Sequence, residues 1–216
     1  MKLIRIDPER PDVTLLMEAA ECVLRGGVIG YPTDTLYGLG CALFDVAAVE
    51  MVARVKRRDP SLAVISLIPD ASQVYGLASE VPEVAERLMA RFWPGPLSLI
   101  FRASSVVPAR VRGAQDTVAL RLPKDPLCER LLEHIGGPLV SSSANLSGQR
   151  PAETAEEVAR IFGNQIDLVI DGGPRRQASS TLVDLSGPRP RLLRQGPIDV
   201  RGELGDYEDA TSDNSR

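Results

Sequence analysis

The chain has 216 residues, 44% of them hydrophobic and 25% charged, with a formal net charge of −4. That length and composition suit a globular protein whose core buries about 70% of the unfolded surface, while the negative balance and the 4% aromatic content argue against nucleic-acid binding over the whole surface and against broad base stacking. Cys22, Cys41 and Cys128 are scattered and form no Cys-x-x-Cys pair, so neither a disulfide framework nor a zinc site is indicated. With no signal-like N-terminus and no apolar run of membrane length, a soluble cytoplasmic protein is expected.

Residues 3–6 read as a first strand and 8–12 as a turn that caps a helix, in which Val13, Leu16, Ala20, Val23 and Leu24 recur at helical spacing until Gly26-Gly27 ends it. Residues 28–31 make a short buried strand, and Pro32, which lacks an N–H, forces a turn. Thr33, Asp34 and Thr35 then offer two hydroxyls and a carboxylate at a strand's carboxyl end, where open α/β sheets hold ligands. Gly38 and Gly40 permit positive φ or close backbone approach. Asp45 caps a helix with Val49, Val52 and Val55 on its core face, running into Lys56-Arg57-Arg58-Asp59-Pro60.

Residues 63–68 read as a strand, Asp70 as the cap of a short helix toward Gly76, and Pro82 as the first position of a helix that Trp93-Pro94-Gly95-Pro96 breaks. Strands follow at 97–101 and 118–122, the second carrying Arg121 inside an apolar run. Asp125 caps a helix closed by Gly136-Gly137, after which 139–140 lead into the polar run from Ser141 to Gly148. Thr154 and Glu157 form a capping box, and 168–170, 181–184 and 191–193 read as further strands. The order predicts an α/β fold, a twisted mixed open sheet with flanking helices, over residues 1–200. The acidic, apolar-poor stretch 201–216 is expected to be a disordered tail.

Five polar clusters fall at the ends of these elements, and each admits two readings. Besides Thr33–Thr35, Lys56 and Arg58 either hold a polyphosphate or complement a helix C-terminus. Arg121 either meets a ligand carboxylate or forms a salt bridge to Asp34 or Asp184, since an unpaired charge in so apolar a run is costly. Ser141, Ser142, Ser143 and Asn145 are a dense donor–acceptor set or an ordinary loop. Ser179-Ser180-Thr181 and Arg194 would each pass for a turn. His134 is the only histidine, which gives a Ser-His-Asp triad or a histidine metal site little support, and no Walker or dinucleotide fingerprint is present.

Taken in order, Pro32 to Gly40, Lys56-Arg57-Arg58, Trp93-Pro94-Gly95-Pro96-Leu97, Thr117 to Arg121, Ser143 to Gly148, Ile170-Asp171-Gly172-Gly173, Ser180-Thr181 and Leu193 to Pro197 closely resemble the YrdC-like family of threonylcarbamoyl-AMP synthases. The resemblance implies a YrdC-like fold with a large concave site, and a nucleotidyltransferase reaction in which L-threonine, bicarbonate and ATP, with Mg2+, give threonylcarbamoyl-AMP and pyrophosphate, the first step of tRNA threonylcarbamoyladenosine formation. It implies that Thr33, Arg121, Ser141 and Ser180 face threonine and carbamate, and that Lys56, Arg58, Thr117, Ser143, Asn145 and Arg194 face ATP. Lys56, Arg58 and Arg121 would carry the catalytic charge. A downstream tRNA threonylcarbamoyl transferase, a weak tRNA contact and no membrane are the implied partners. Asp59 to Val64 departs from the family pattern, and the chain looks like the short, single-domain type. Two alternatives stand beside this reading: an RNA-binding module, and a carbamoyl-transfer domain of the hydrogenase-maturation type.

Overall fold

A computed structural model describes residues 1–59, 64–113 and 115–211. Edge strand β1 (Lys2–Arg5) leads to α1 (Val13–Leu24), where Asp12 accepts from the Thr14 and Leu15 amides. β2 (Ile29–Pro32) and β3 (Tyr37–Gly40) are the arms of an antiparallel hairpin that the sequence reading treats as a strand and a loop. Gly38 and Gly40 are needed for close approach and not for positive φ. A Cβ on Gly40 would lie 2.6 Å from Tyr31 Cε1, and one on Gly38 3.1 Å from Ser141 Oγ.

Asp45 caps α2 (Val46–Val55), and β4 (Ile65–Leu67) follows. Ala63, part of the expected strand there, lies outside the described residues. Next come α3 (Val74–Leu77), α4 (Glu83–Phe92) with Pro82 at the N-cap and not the first helical position, β5 (Leu97–Arg102) and β6 (Thr117–Arg121). Asp125 caps α5 (Pro126–Ile135), which Gly136 closes at φ 71. After β7 (Leu139–Val140) and β8 (Ser142–Ser143) comes α6 (Ala155–Phe162), with Thr154 accepting from the Glu157 amide. The chain ends in β9 (Leu168–Asp171), β10 (Thr181–Asp184), β11 (Arg191–Arg194), α7 (Arg201–Leu204) and β12 (Glu208–Asp209).

The mixed α/β architecture divides into two sheets, ordered β1-β9-β2-β3-β8 and β12-β11-β10-β5-β6-β4-β7. Each contains parallel and antiparallel pairs. α1 and α5 bury Leu16, Val23, Leu131 and Leu132 together with Ile29 and Ile170 of the shorter sheet. A larger core joins Leu39 of that sheet to Leu99, Phe101, Val118 and Leu120 of the other.

The expected disordered tail is corrected for residues 201–211. β12 pairs in parallel with β11, and Leu204 and Ala210 are buried. Two apolar side chains and one short ladder anchor a segment whose average composition hides them.

Candidate active site

A cavity of about 280 Å³ is lined from both sheets. Its floor is one face of the seven-stranded sheet: Ile65 and Leu67 on β4, Ile100 on β5, Ala119 and Arg121 on β6, and Leu182 on β10. Strand side chains alternate between faces. Val118 and Leu120 therefore enter the core while Ala119 and Arg121 enter the cavity, which accounts for the charge inside an apolar run.

Arg121 joins three segments. Its Nε donates to the Gly95 carbonyl at 3.0 Å and its Nη1 to Thr35 Oγ1 at 3.3 Å, while Nη2 lies 2.5 Å from Asp34 Oδ1. That last contact is an ion pair between two largely buried side chains. The salt-bridge reading of Arg121 is met at Asp34, and the same side chain also lines the cavity.

Thr33 lines the cavity but its hydroxyl is committed to the hairpin turn, accepting from the Thr35 and Leu36 amides and donating to the Leu36 carbonyl at 2.7 Å. The hydroxyl two residues on, Thr35 Oγ1, is the one that meets Arg121. Thr35 belongs to the polar turn that the sequence places at a ligand-holding strand end, but the family resemblance assigns it no role. Its membership of the same polar turn was the only available signal.

Lys56 and Arg58 reach the cavity because α2 ends in a Schellman motif. The Arg57 amide donates to the Arg54 carbonyl at 3.0 Å and the Arg58 amide to the Ala53 carbonyl at 2.9 Å, with Arg57 itself exposed at φ 52. Lys56 Nζ donates to the Ser143 carbonyl, to the Asn145 carbonyl at 2.9 Å and to Asn145 Oδ1 at 3.2 Å, so its three donors are used within the protein. Burial first, and Arg58 second, pull its pKa from the ordinary 10.5 down to about 7. The three oxygen acceptors work in the opposite direction. Arg58 Nη1 donates to Ser142 Oγ at 3.4 Å, and burial lowers its pKa against the nearby charge of Asp59.

Ser141, Ser142, Ser143 and Asn145 also line the cavity. The serine run is not a plain loop, because β8 pairs antiparallel with β3 at Leu39↔Ser142 and Gly38↔Ser143. Ser143 Oγ donates to Asn145 Oδ1 at 2.6 Å, and Asn145 Nδ2 donates to the Leu146 and Gln149 carbonyls. Across the cavity, Arg194 Nε donates to the Ser180 carbonyl at 2.9 Å and Nη2 to Ser180 Oγ at 3.3 Å. Burial, then the charge of Arg121, lowers the pKa of Arg194, so two guanidinium groups share this side.

Nine of the ten site residues expected from sequence therefore line one cavity; the exception is Thr117. It starts β6, four residues before Arg121 and about 13 Å away at a strand's rise. It shares the face of Ala119 but lies past the end of the cavity, and its carbonyl accepts from the Gly113 amide at 2.8 Å. The strand reaches the cavity only from Ala119 onward.

Lys56, Arg58, Arg121 and Arg194 line the cavity together with hydroxyls, and no carboxylate is among the described lining residues. Among the described residues there is no group of three or more His, Cys, Asp or Glu side chains that could hold a metal ion. A cationic, hydroxyl-rich hollow walled by two sheets defines a small-molecule site for an anionic ligand.

Comparison with known proteins narrows this class. The family model Sua5/YciO/YrdC, described as telomere recombination, matches residues 21–196. The chain is 39% identical over 191 residues to the threonylcarbamoyl-AMP synthase of Pyrococcus abyssi, covering 88% of this chain but only 56% of that protein. It is 36% identical over 193 residues to a putative threonylcarbamoyl-AMP synthase of Mycobacterium tuberculosis, covering 89% and 88%. The crystal structure of P. abyssi Sua5 complexed with L-threonine superposes with a TM-score of 0.91 at 36% identity, over 96% of this chain and 62% of that one. Escherichia coli YciO superposes with a TM-score of 0.87 at 33% identity, over 94% and 100%. The chain belongs to the Sua5/YciO/YrdC family.

Proposed function

We propose that the chain is an L-threonylcarbamoyladenylate synthase, a nucleotidyltransferase acting on L-threonine, bicarbonate and ATP. One observation above all supports this: cations and hydroxyls from 33 to 194 in the sequence meet in a single hollow whose described lining holds no carboxylate. The relatives named as synthases agree with it. Likeness to the family does not by itself separate synthases from YciO, whose E. coli sequence is named as an uncharacterized protein.

The threonine amine forms an N–C bond to the carbon of bicarbonate, and water leaves. The carbamate oxygen then bonds to the α-phosphorus of ATP while the α–β bridging P–O bond breaks, and pyrophosphate departs with the electron pair. Positioning and charge neutralisation are what such a transfer asks of a protein. Arg121 and Thr35 face the amino acid, Ser180 and Arg194 the carbamate and α-phosphate, and Arg58 the polyphosphate, with Ser141 and Thr33 as wall. Lys56 holds the Ser143–Asn145 loop from within. Magnesium enters as the counter-ion of the nucleotide. A cavity of about 280 Å³ is at the low end of small-ligand sites, which span roughly 300–1,000 Å³, so the nucleotide extends beyond it. The product is an activated adenylate for a cytoplasmic transferase acting on tRNA.

The test is pyrophosphate release by the purified protein with MgATP, omitting threonine or bicarbonate in turn, with the adenylate identified by mass. Release that ignores both omissions makes the chain an ordinary ATPase. Salt-sensitive RNA binding without release favours the RNA-binding alternative.

A further inference from the structure

Between β9 and β10 the chain runs from Gly172 to Ser180 without regular structure, as a strap across the hairpin turn that carries Thr33 and Thr35. Tyr37 holds its start, its hydroxyl donating to the Gly173 carbonyl at 2.9 Å and accepting from the Gly172 amide at 3.3 Å, and Arg175 fastens it to the turn. Arg175 Nε donates to the Thr33 carbonyl at 2.9 Å, Nη1 donates to the Gly172 carbonyl at 2.9 Å, and Nη2 reaches Asp125 Oδ2 at 3.4 Å, the carboxylate that caps α5. The Arg175 amide donates to the Glu153 carbonyl at 2.8 Å, and two residues on the Gln177 amide donates to the Thr35 carbonyl at 3.1 Å. Both threonine carbonyls of the turn are thereby held from the strap. The strap then ends in Ser179 and Ser180, which line the opposite part of the cavity.

Arg175 is 16% exposed in its side chain and is not among the cavity-lining residues; its guanidinium is turned to protein partners. We propose that Arg175 is a positioning residue for the amino-acid side of the cavity, a role that rests on the synthase reading above. Its planar fork satisfies carbonyls on two segments and a carboxylate on a third, which a lysine's single ammonium cannot span in the same way. Through the Thr33 carbonyl it fixes where Thr35 Oγ1 stands against Arg121, and through the strap it fixes the distance from that pair to Ser180. The polyphosphate end, built on Lys56, Arg58 and β8, shares none of the Arg175 contacts.

The experiment measures steady-state pyrophosphate release by wild type, Arg175→Ala, Arg175→Lys and Arg176→Ala, varying threonine and MgATP separately, with thermal unfolding of each variant. Displacements on the order of 1 Å at a reacting site cost up to about 100-fold. Arg175→Ala should therefore raise KM for threonine about 10- to 100-fold with KM for ATP within about 2-fold, and Arg175→Lys should fall between it and wild type. Arg176, whose partner is Glu153 and whose side chain is 74% exposed, should leave both constants unchanged when truncated. If Arg175→Ala does not fold, the ratio of the two KM changes in Arg175→Lys decides. Equal increases in both constants, or a lowered unfolding temperature with neither constant changed, would overturn the positioning role. A wild type without threonine-dependent release sinks the synthase reading instead.

Discussion

Arg57 occupies the left-handed position of the Schellman motif with φ 52, exposed and bearing a full side chain. Glycine is the residue this position favours, because a Cβ there crowds the following carbonyl at a cost of roughly 1–2 kcal/mol. Replacing arginine by glycine removes that cost but loosens the unfolded chain by roughly 0.5–1 kcal/mol. Arg57→Gly should then stabilise the protein by about 0.5–1 kcal/mol, which for a chain of this size is a rise of about 1–4 °C in Tm. Arg57→Ala keeps the Cβ and so keeps the strain, and it should stay within about 0.5 kcal/mol of wild type. Scanning calorimetry on the three proteins at one pH separates the cases. A glycine variant no more stable than the alanine variant would mean that the backbone at Arg57 is not strained, and that the turn between Lys56 and Arg58 is set by something other than local conformation.

Arg121→Lys cannot reach Gly95, Thr35 and Asp34 together, and it leaves Asp34 poorly compensated in a buried place; breaking such a pair costs about 3–5 kcal/mol, so both Tm and threonine-dependent pyrophosphate release should fall steeply, and near-normal turnover would take Arg121 out of the site. Thr33→Val removes the acceptor of two amides and should destabilise by about 1–3 kcal/mol, whereas Thr35→Val should act mainly on KM for threonine; equal effects of the two on stability would contradict this division. For Lys56, the folded pKa of about 7 lies below the ordinary 10.5, so between those values the unfolded chain binds the extra proton. Wild-type stability relative to Lys56→Met should therefore rise with pH from about 7 toward 10.5 and be lost as pH falls through that window, and a flat difference would show that the three oxygen acceptors keep the ammonium charged throughout.

How much of this was legible in the sequence depended on how local its cause was. The caps at Asp12, Asp45, Asp125 and Thr154 act over two or three residues and could be read directly. The β2–β3 hairpin could not, since glycines at 38 and 40 dilute a strand pattern and their reason, the ring of Tyr31 and the Ser141 hydroxyl, lies elsewhere in the chain. The identity of the cavity residues was visible only as an ordered series of polar clusters, whereas the division of labour inside them was not. Nothing in the spacing says that the Thr33 hydroxyl closes its own turn, or that Asn145 uses its amide nitrogen on the Leu146 and Gln149 carbonyls. Arg175 left no trace at all, because its carbonyl partners carry no side-chain signal and the two contacts that matter, the Thr33 carbonyl and Asp125, lie 142 and 50 residues away.

The same preference for carbonyl partners explains how the cavity remains cationic. Lys56 is held by the Ser143 and Asn145 carbonyls, Arg121 by that of Gly95 and Arg194 by that of Ser180, with Asp34, among the described residues, the one carboxylate in direct contact with any of these three. Carboxylate partners would have fixed these side chains equally well, but each would have cancelled a charge. Neutral acceptors orient the cations and leave their field directed at the hollow, so little reorganisation is needed when an anion arrives. The burial that lowers the pKa of Lys56, Arg58 and Arg194 is the cost of that arrangement, and a bound polyphosphate, by favouring the charged forms, would reverse it.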